Sequence, residues 1–205
     1  MKISLEHISK RFQKHWIFKD INYTFAAPQA IALLGPNGCG KSTLLRIIAG
    51  MQAPSTGKTR FYNDDRELVA NEVFESISFC APGMELVEEL TLSEFFDFHF
   101  SFKRTLPYLT TEDIVKLTGL QDAADKPIGD YSSGMKQRVK LAQAIFAETP
   151  VLLLDEPCTN LDQQGVEQYK GWMDQYATDR LVVVASNDPR EYFFCTEQLE
   201  IEKYK

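Results

Sequence analysis

Residues 29–50 read QAIALLGPNGCGKSTLLRIIAG, and the fold turns on this stretch. QAIALLG is a short, continuous apolar run that stops at Gly35, as a strand buried on both faces does. KSTLLRIIAG then carries its apolar residues at helical spacing and stops at Gly50. Between the two lies GPNGCGKST, residues 35–43, which fits G-x-x-x-x-G-K-[ST] in the strand–loop–helix setting that this pattern needs. Gly35, Gly38 and Gly40 let the backbone turn so that its N–H groups face phosphate oxygens. The N-terminus of the following helix adds a favourable dipole. Lys41 is placed to reach the β- and γ-phosphates, and the Ser42 hydroxyl can ligate Mg2+. The candidate phosphate-binding residues are Gly35, Pro36, Asn37, Gly38, Cys39, Gly40, Lys41, Ser42 and Thr43. The plainer alternative is an ordinary glycine turn before a helix.

Two more apolar runs match the first. VLLLDEP, residues 151–157, is a buried strand that ends on two carboxylates, which is costly unless they bind something. Asp155 would join the Mg2+ shell, and Glu156 would polarise an attacking water as general base. LVVVAS, residues 181–186, is a third buried strand, and Asn187 follows it. Upstream, YSSGMKQRVKLAQAIF opens a helix with Ser132 and Ser133 at the capping position, and Gly134 keeps the backbone open to an anion. Alone, that segment is only a good cap. TLSEFFDFHFSF begins with Thr91 and Glu94 as a capping box, TTEDIVKLTGL is a second amphipathic run, and QQGVEQYKGWMDQY is a further helix. MKISLEHISKRF shows strand alternation at Ile3, Leu5 and His7, and APSTGKTRFYN reads as a turn and a strand. Strands alternating with helices predict a mainly parallel α/β sheet, with a helical subdomain inserted at about 85–130.

Composition narrows the function. A chain of 205 residues suits one domain, and its net charge of −7 argues against nucleic acid as a partner. The N-terminus has no long apolar segment, and no apolar run is long enough to span a bilayer. Cys39, Cys80, Cys158 and Cys195 form no C-x-x-C pair and read as reduced, buried thiols.

In this order the motifs resemble those of the nucleotide-binding subunit of ABC transporters, over nearly the whole chain. GPNGCGKST looks like its Walker A loop, VLLLDEP like Walker B, YSSGMKQR like the signature motif, and TNLD, residues 159–162, like the D-loop. The compact length is most similar to the short ATPases of the haem-exporter and cytochrome c maturation type. The resemblance implies a single α/β P-loop NTPase domain over residues 1–205, with a mainly parallel central sheet and an antiparallel β edge. Its RecA-like core would cover about 1–84 and 131–205, and its helical subdomain about 85–130. The implied cofactors are ATP and Mg2+, with Ser42 and Asp155 as metal ligands and Phe12 stacked on adenine. Two chains would pack head to tail, each ATP lying between the Walker A loop of one and Ser132, Ser133 and Gly134 of the other, with Asp162 nearby. The ATP-bound homodimer would drive an integral membrane permease from the cytoplasmic face of the membrane. The alternative is a weakly hydrolysing or non-hydrolysing ATP-gated clamp.

Two positions depart from the family pattern. Asn187 stands where the family carries a histidine on the γ-phosphate. Its amide can donate to a phosphate oxygen or to the attacking water, or it can simply start a turn before Asp188 and Pro189. Ala81 stands where the family has a glutamine, and no glutamine lies between Gln52 and Gln121. Phe95, Phe96, Phe98, Phe100 and Phe102 are either all core or partly a groove for a helix of the membrane subunit.

Overall fold

The computed structural model describes residues 1–205, which divide by their contacts into two compact units. The first comprises residues 1–79, 149–155 and 179–205. It contains β1 (Lys2–Phe12), β2 (His15–Ala26), β3 (Gln29–Leu34), α1 (Lys41–Ile48), β4 (Thr56–Asn63), β5 (Arg66–Glu67), α2 (Ala70–Ser76), most of β6 (Ile77–Cys80), β7 (Val151–Asp155), β8 (Leu181–Ala185) and β9 (Glu197–Glu200).

Five strands form one sheet in the order β6-β7-β8-β3-β9, with β7, β8, β3 and β9 paired in parallel. Every residue of β7 and β8 is buried, as covering both faces of a parallel sheet requires. The register sets Leu33 opposite Ala185, and Ala185 opposite Asp155. The carboxyl ends of the three strands that carry the motifs therefore stop level, which is where open α/β sheets bind ligands. The antiparallel strands make a sheet of their own, in the order β2-β1-β4-β5. Ile3, Ile8, Phe18 and Ile21 of that sheet share one core with Leu44 and Ile48 of α1 and with Ile31 and Val183.

The alternation expected along β1 stops at Leu5. The pairing with β2 shifts between Leu5 and Ile8, His7 takes a left-handed φ of 54°, and Ile8 occupies the buried position instead. This is a β-bulge, which adds one residue and moves the inward side chain by one place. His7 is turned out, with its N–H donating to Asn22 Oδ1 at 2.8 Å and its Nδ1 2.7 Å from Asp20 Oδ1.

The second unit comprises residues 80–148 and 156–178 and contains α3 (Leu92–Phe102), α4 (Thr111–Thr118), α5 (Ser133–Ile145) and α6 (Gln163–Tyr176). The segment expected at 85–130 holds α3 and α4, and the unit takes in α5 and α6 as well. The capping box forms: Glu94 Oε2 accepts the Thr91 N–H at 2.9 Å, and Thr91 Oγ1 accepts the Glu94 N–H at 3.4 Å. The phenylalanine cluster splits. Phe95 and Phe96 are buried, whereas Phe98 and Phe102 are 51% and 64% exposed and meet edge to face. No helix of the chain is long and apolar enough to cross a membrane.

His99 lies among these rings, stacked on Phe95, and its Nε2 is buried without a hydrogen-bond partner. Burial, reinforced by the charge of Lys103, pushes its pKa down to about 4. Between that value and the ordinary ~6.5, an unfolded chain takes up a proton that the folded one refuses. Stability supplied by neutral His99 is therefore present above about pH 6.5 and is lost as pH falls toward 4, by an amount on the order of 3 kcal/mol. The melting midpoint of the wild type should fall more steeply over this window than that of His99→Phe. Parallel pH profiles would refute this.

Candidate active site

The loop after β3 reaches α1 through Gly40, whose φ is 111°. A Cβ there would collide with Ile17 Cγ2 and lie 3.1 Å from Phe18 Cδ1, so only glycine lets β2 pack this closely behind the loop. Lys41, only 6% exposed, is the first residue of α1 and donates from Nζ to the Gly35 carbonyl at 2.6 Å. Its ammonium thus lies inside the curve of the loop. Ser42 Oγ donates to Asp155 Oδ1 at 2.9 Å, and Asp155 is itself buried at the carboxyl end of β7. A hydroxyl and a carboxylate are hard oxygen donors. Such a pair suits Mg2+, which completes its shell with water and substrate phosphates rather than with a full protein cage. No cluster of three or more His, Cys, Asp or Glu exists that would cage a metal by itself.

Asn187 joins this group. Its Nδ2 donates to Asn37 Oδ1 of the loop at 3.2 Å. The turn that follows is built by its neighbours: Ser186 Oγ accepts the Asp188 N–H at 2.8 Å, and Asp188 Oδ1 accepts the Arg190 N–H at 2.9 Å. The Asn187 amide is thus bonded to the loop, while the turn is closed by Ser186 and Asp188. Phe12 ends β1 at the tip of the β1–β2 hairpin, 49% exposed.

The remaining candidates belong to the second unit. Glu156 is exposed and takes a left-handed φ of 43°, and its carbonyl accepts the Thr159 N–H at 3.1 Å. Such a conformation costs a non-glycine residue roughly 1 kcal/mol and concentrates at functional sites. Ser132 caps α5, its Oγ accepting the Met135 N–H at 3.3 Å; Ser133 opens the helix, exposed, and Gly134 follows half-buried. Asp162 caps α6. Its Oδ1 accepts the Gly165 N–H at 2.8 Å and pairs with Arg138 at 3.2 Å, and these contacts, the Gly165 bond first, hold the carboxyl below its usual range. Ala81 is buried and presents no polar group, while the next carbonyl, that of Pro82, accepts from Lys140 Nζ at 2.8 Å.

Gln137 escapes the sequence reading. It is buried in α5 and donates from Nε2 to the Pro157 carbonyl at 2.7 Å, which ties that helix to the turn just after Glu156. The only trace it leaves in the sequence is a polar residue on the helix face that carries Leu141 and Ala144.

Residues 18–159 match the ABC transporter family profile. A probable sulfate/thiosulfate import ATP-binding protein of Chlorella vulgaris is 34% identical over 176 residues, covering 84% of this chain and 74% of its own. The cytochrome c biogenesis ATP-binding export protein of Rhizobium etli is 31% identical over 193 residues, covering 92% and 89%. The chain spans only about half, 50%, of the length of the longer sulfate/thiosulfate import relative from Salmonella typhi. A putative ABC transporter ATP-binding protein of Pyrococcus furiosus shares the fold, with a TM-score of 0.81 at 20% identity and full coverage of both chains. With its phosphate loop, Asp155 and signature-like helix accounted for, the chain belongs to the ABC transporter family as an ATP-binding domain.

Proposed function

We infer that residues 1–205 form one ATPase domain that binds and hydrolyses ATP to power a membrane transporter. The observation that carries this reading is the buried Lys41 beside the Ser42–Asp155 pair, at strand ends held level by the sheet register. Phe12 stacks the adenine, the N–H groups of residues 35–43 hold the phosphates, and Lys41 neutralises the β/γ oxygens. Ser42 and Asp155 hold Mg2+, which when bound offsets charge on the phosphate oxygens. The Glu156 carboxylate takes a proton from the attacking water. Ser132, Ser133 and Gly134 offer the α5 N-terminus to the γ-phosphate held by a second copy, so the working form is an ATP-bound homodimer, with Asp162 at that interface. The exposed Phe98 and Phe102 supply an apolar seat for an integral membrane permease, which sets the domain on the cytoplasmic face of the membrane.

A slow or non-hydrolysing clamp is the second reading, favoured by Ala81, which offers no side-chain donor. Phosphate release from MgATP by the purified chain decides between them: release well above the Lys41→Ala background supports the ATPase, and none overturns it.

Asn187 supports turnover in the same scheme. Asn187→Ala should lower kcat by about 10²-fold, the usual cost of one donor to developing phosphoryl charge, with little change in KM. Asn187→His should keep activity, because its ring N–H also donates. An alanine variant with full kcat and a lowered melting midpoint would instead make Asn187 a turn residue.

A further inference from the structure

At the tip of the β1–β2 hairpin one cation is held by both an aromatic ring and a backbone carbonyl. Lys10 lies two residues before Phe12, so both side chains share one face of β1. Its Nζ stands over the Phe12 ring, 5.3 Å from the centroid. The same Nζ donates to the Ala53 carbonyl at 2.7 Å. The segment that carries Ala53 is in turn bonded to β1: the Ser55 N–H donates to the Ser9 carbonyl at 2.8 Å, and the Arg11 N–H donates to Ser55 Oγ at 3.1 Å. The ammonium is therefore anchored at a carbonyl whose own position is tied to the strand that bears the ring. The other exposed ring of the tip, Trp16, is engaged by two cations, Arg11 at 5.5 Å and Lys19 at 5.7 Å.

We propose that Lys10 is a positioning residue for base recognition: it caps one face of Phe12 and reserves the other for the purine of the bound nucleotide. The proposal rests on the stacking role given to Phe12 above. Two physical effects support it. A ring that is 49% exposed at a hairpin tip has rotamer freedom that stacking must remove, and a fixed cap removes part of it beforehand. A cation on one face also draws π density toward itself, which lessens the repulsion between the opposite face and the π face of a base.

The test compares ATP with inorganic tripolyphosphate, which has the charge but no base, by calorimetric titration in Mg2+. Lys10→Met keeps the aliphatic stem and removes the cation. It should weaken ATP binding roughly five- to tenfold and leave tripolyphosphate binding unchanged, which also shows that the variant is folded. In a Phe12→Ala background the same substitution should change ATP affinity less than twofold, and Lys10→Arg should retain most of the wild-type affinity. Equal losses for ATP and tripolyphosphate would reduce Lys10 to a general charge and overturn the proposal. So would ATP binding by Lys10→Met that matches the wild type while Phe12→Ala is impaired. If Phe12→Ala itself binds ATP like the wild type, the stacking role fails and the proposal with it, an outcome the single Phe12 variant identifies.

Discussion

Lys41→Ala is expected to bind MgATP at least 10²-fold more weakly than the wild type and to release no measurable phosphate. The estimate follows from what the ammonium does in the folded chain. It is buried inside the loop, 2.6 Å from the Gly35 carbonyl, and it retains donors beyond that bond. Charge-assisted hydrogen bonds to phosphate are each worth roughly 1.5–3 kcal/mol, so losing two costs on the order of 10²-fold or more. Alanine leaves the Gly40 turn and the Ser42–Asp155 bond in place, so the melting midpoint without nucleotide should move little. Lys41→Arg should rescue poorly, because a planar fork does not fit a buried position shaped for a compact ammonium. Binding within a few-fold of the wild type, measured by calorimetry, would remove Lys41 from the site.

How far this site can be read from the chain depends on how local its signals are. The loop at 35–43, the strands VLLLD and LVVVA and the capped helices α3, α5 and α6 announce themselves, because fully buried strands and capping residues leave uninterrupted patterns over a few residues. Strand β2 does not. Its buried residues Phe18, Ile21 and Phe25 are spaced by three and four, because a bulge in its pairing with β1 breaks the period of two between Phe18 and Ile21, and that spacing imitates a helix. Strand β9 buries only Leu199 and gives no alternation to find. The bond from Asn187 to the loop could not be read along the chain, because it joins residues 150 positions apart. Gln137 is hidden for a similar reason: its partner, the Pro157 carbonyl, is a backbone atom that no residue pattern marks.

Glu156→Gln separates binding from chemistry most sharply. The two side chains have the same shape, and glutamine can still orient a water, but it cannot accept the proton that a general base must take. Turnover should fall by roughly 10²–10⁴-fold while nucleotide affinity stays near that of the wild type. Backbone strain does not enter the comparison, because glutamine inherits the same left-handed φ of 43°. Glu156→Gly supplies the control: glycine accepts that φ at no steric cost, so its melting midpoint should not fall, yet its turnover should be lost to the same degree. With the chemical step blocked, ATP should accumulate in the shared site, and the glutamine variant should elute as a dimer in MgATP and as a monomer without it. A variant that turns over at the wild-type rate would transfer the role of base to another group. One that stays monomeric at saturating MgATP, with turnover abolished, would keep Glu156 as the base and remove the α5 N-terminus of a second copy from the site.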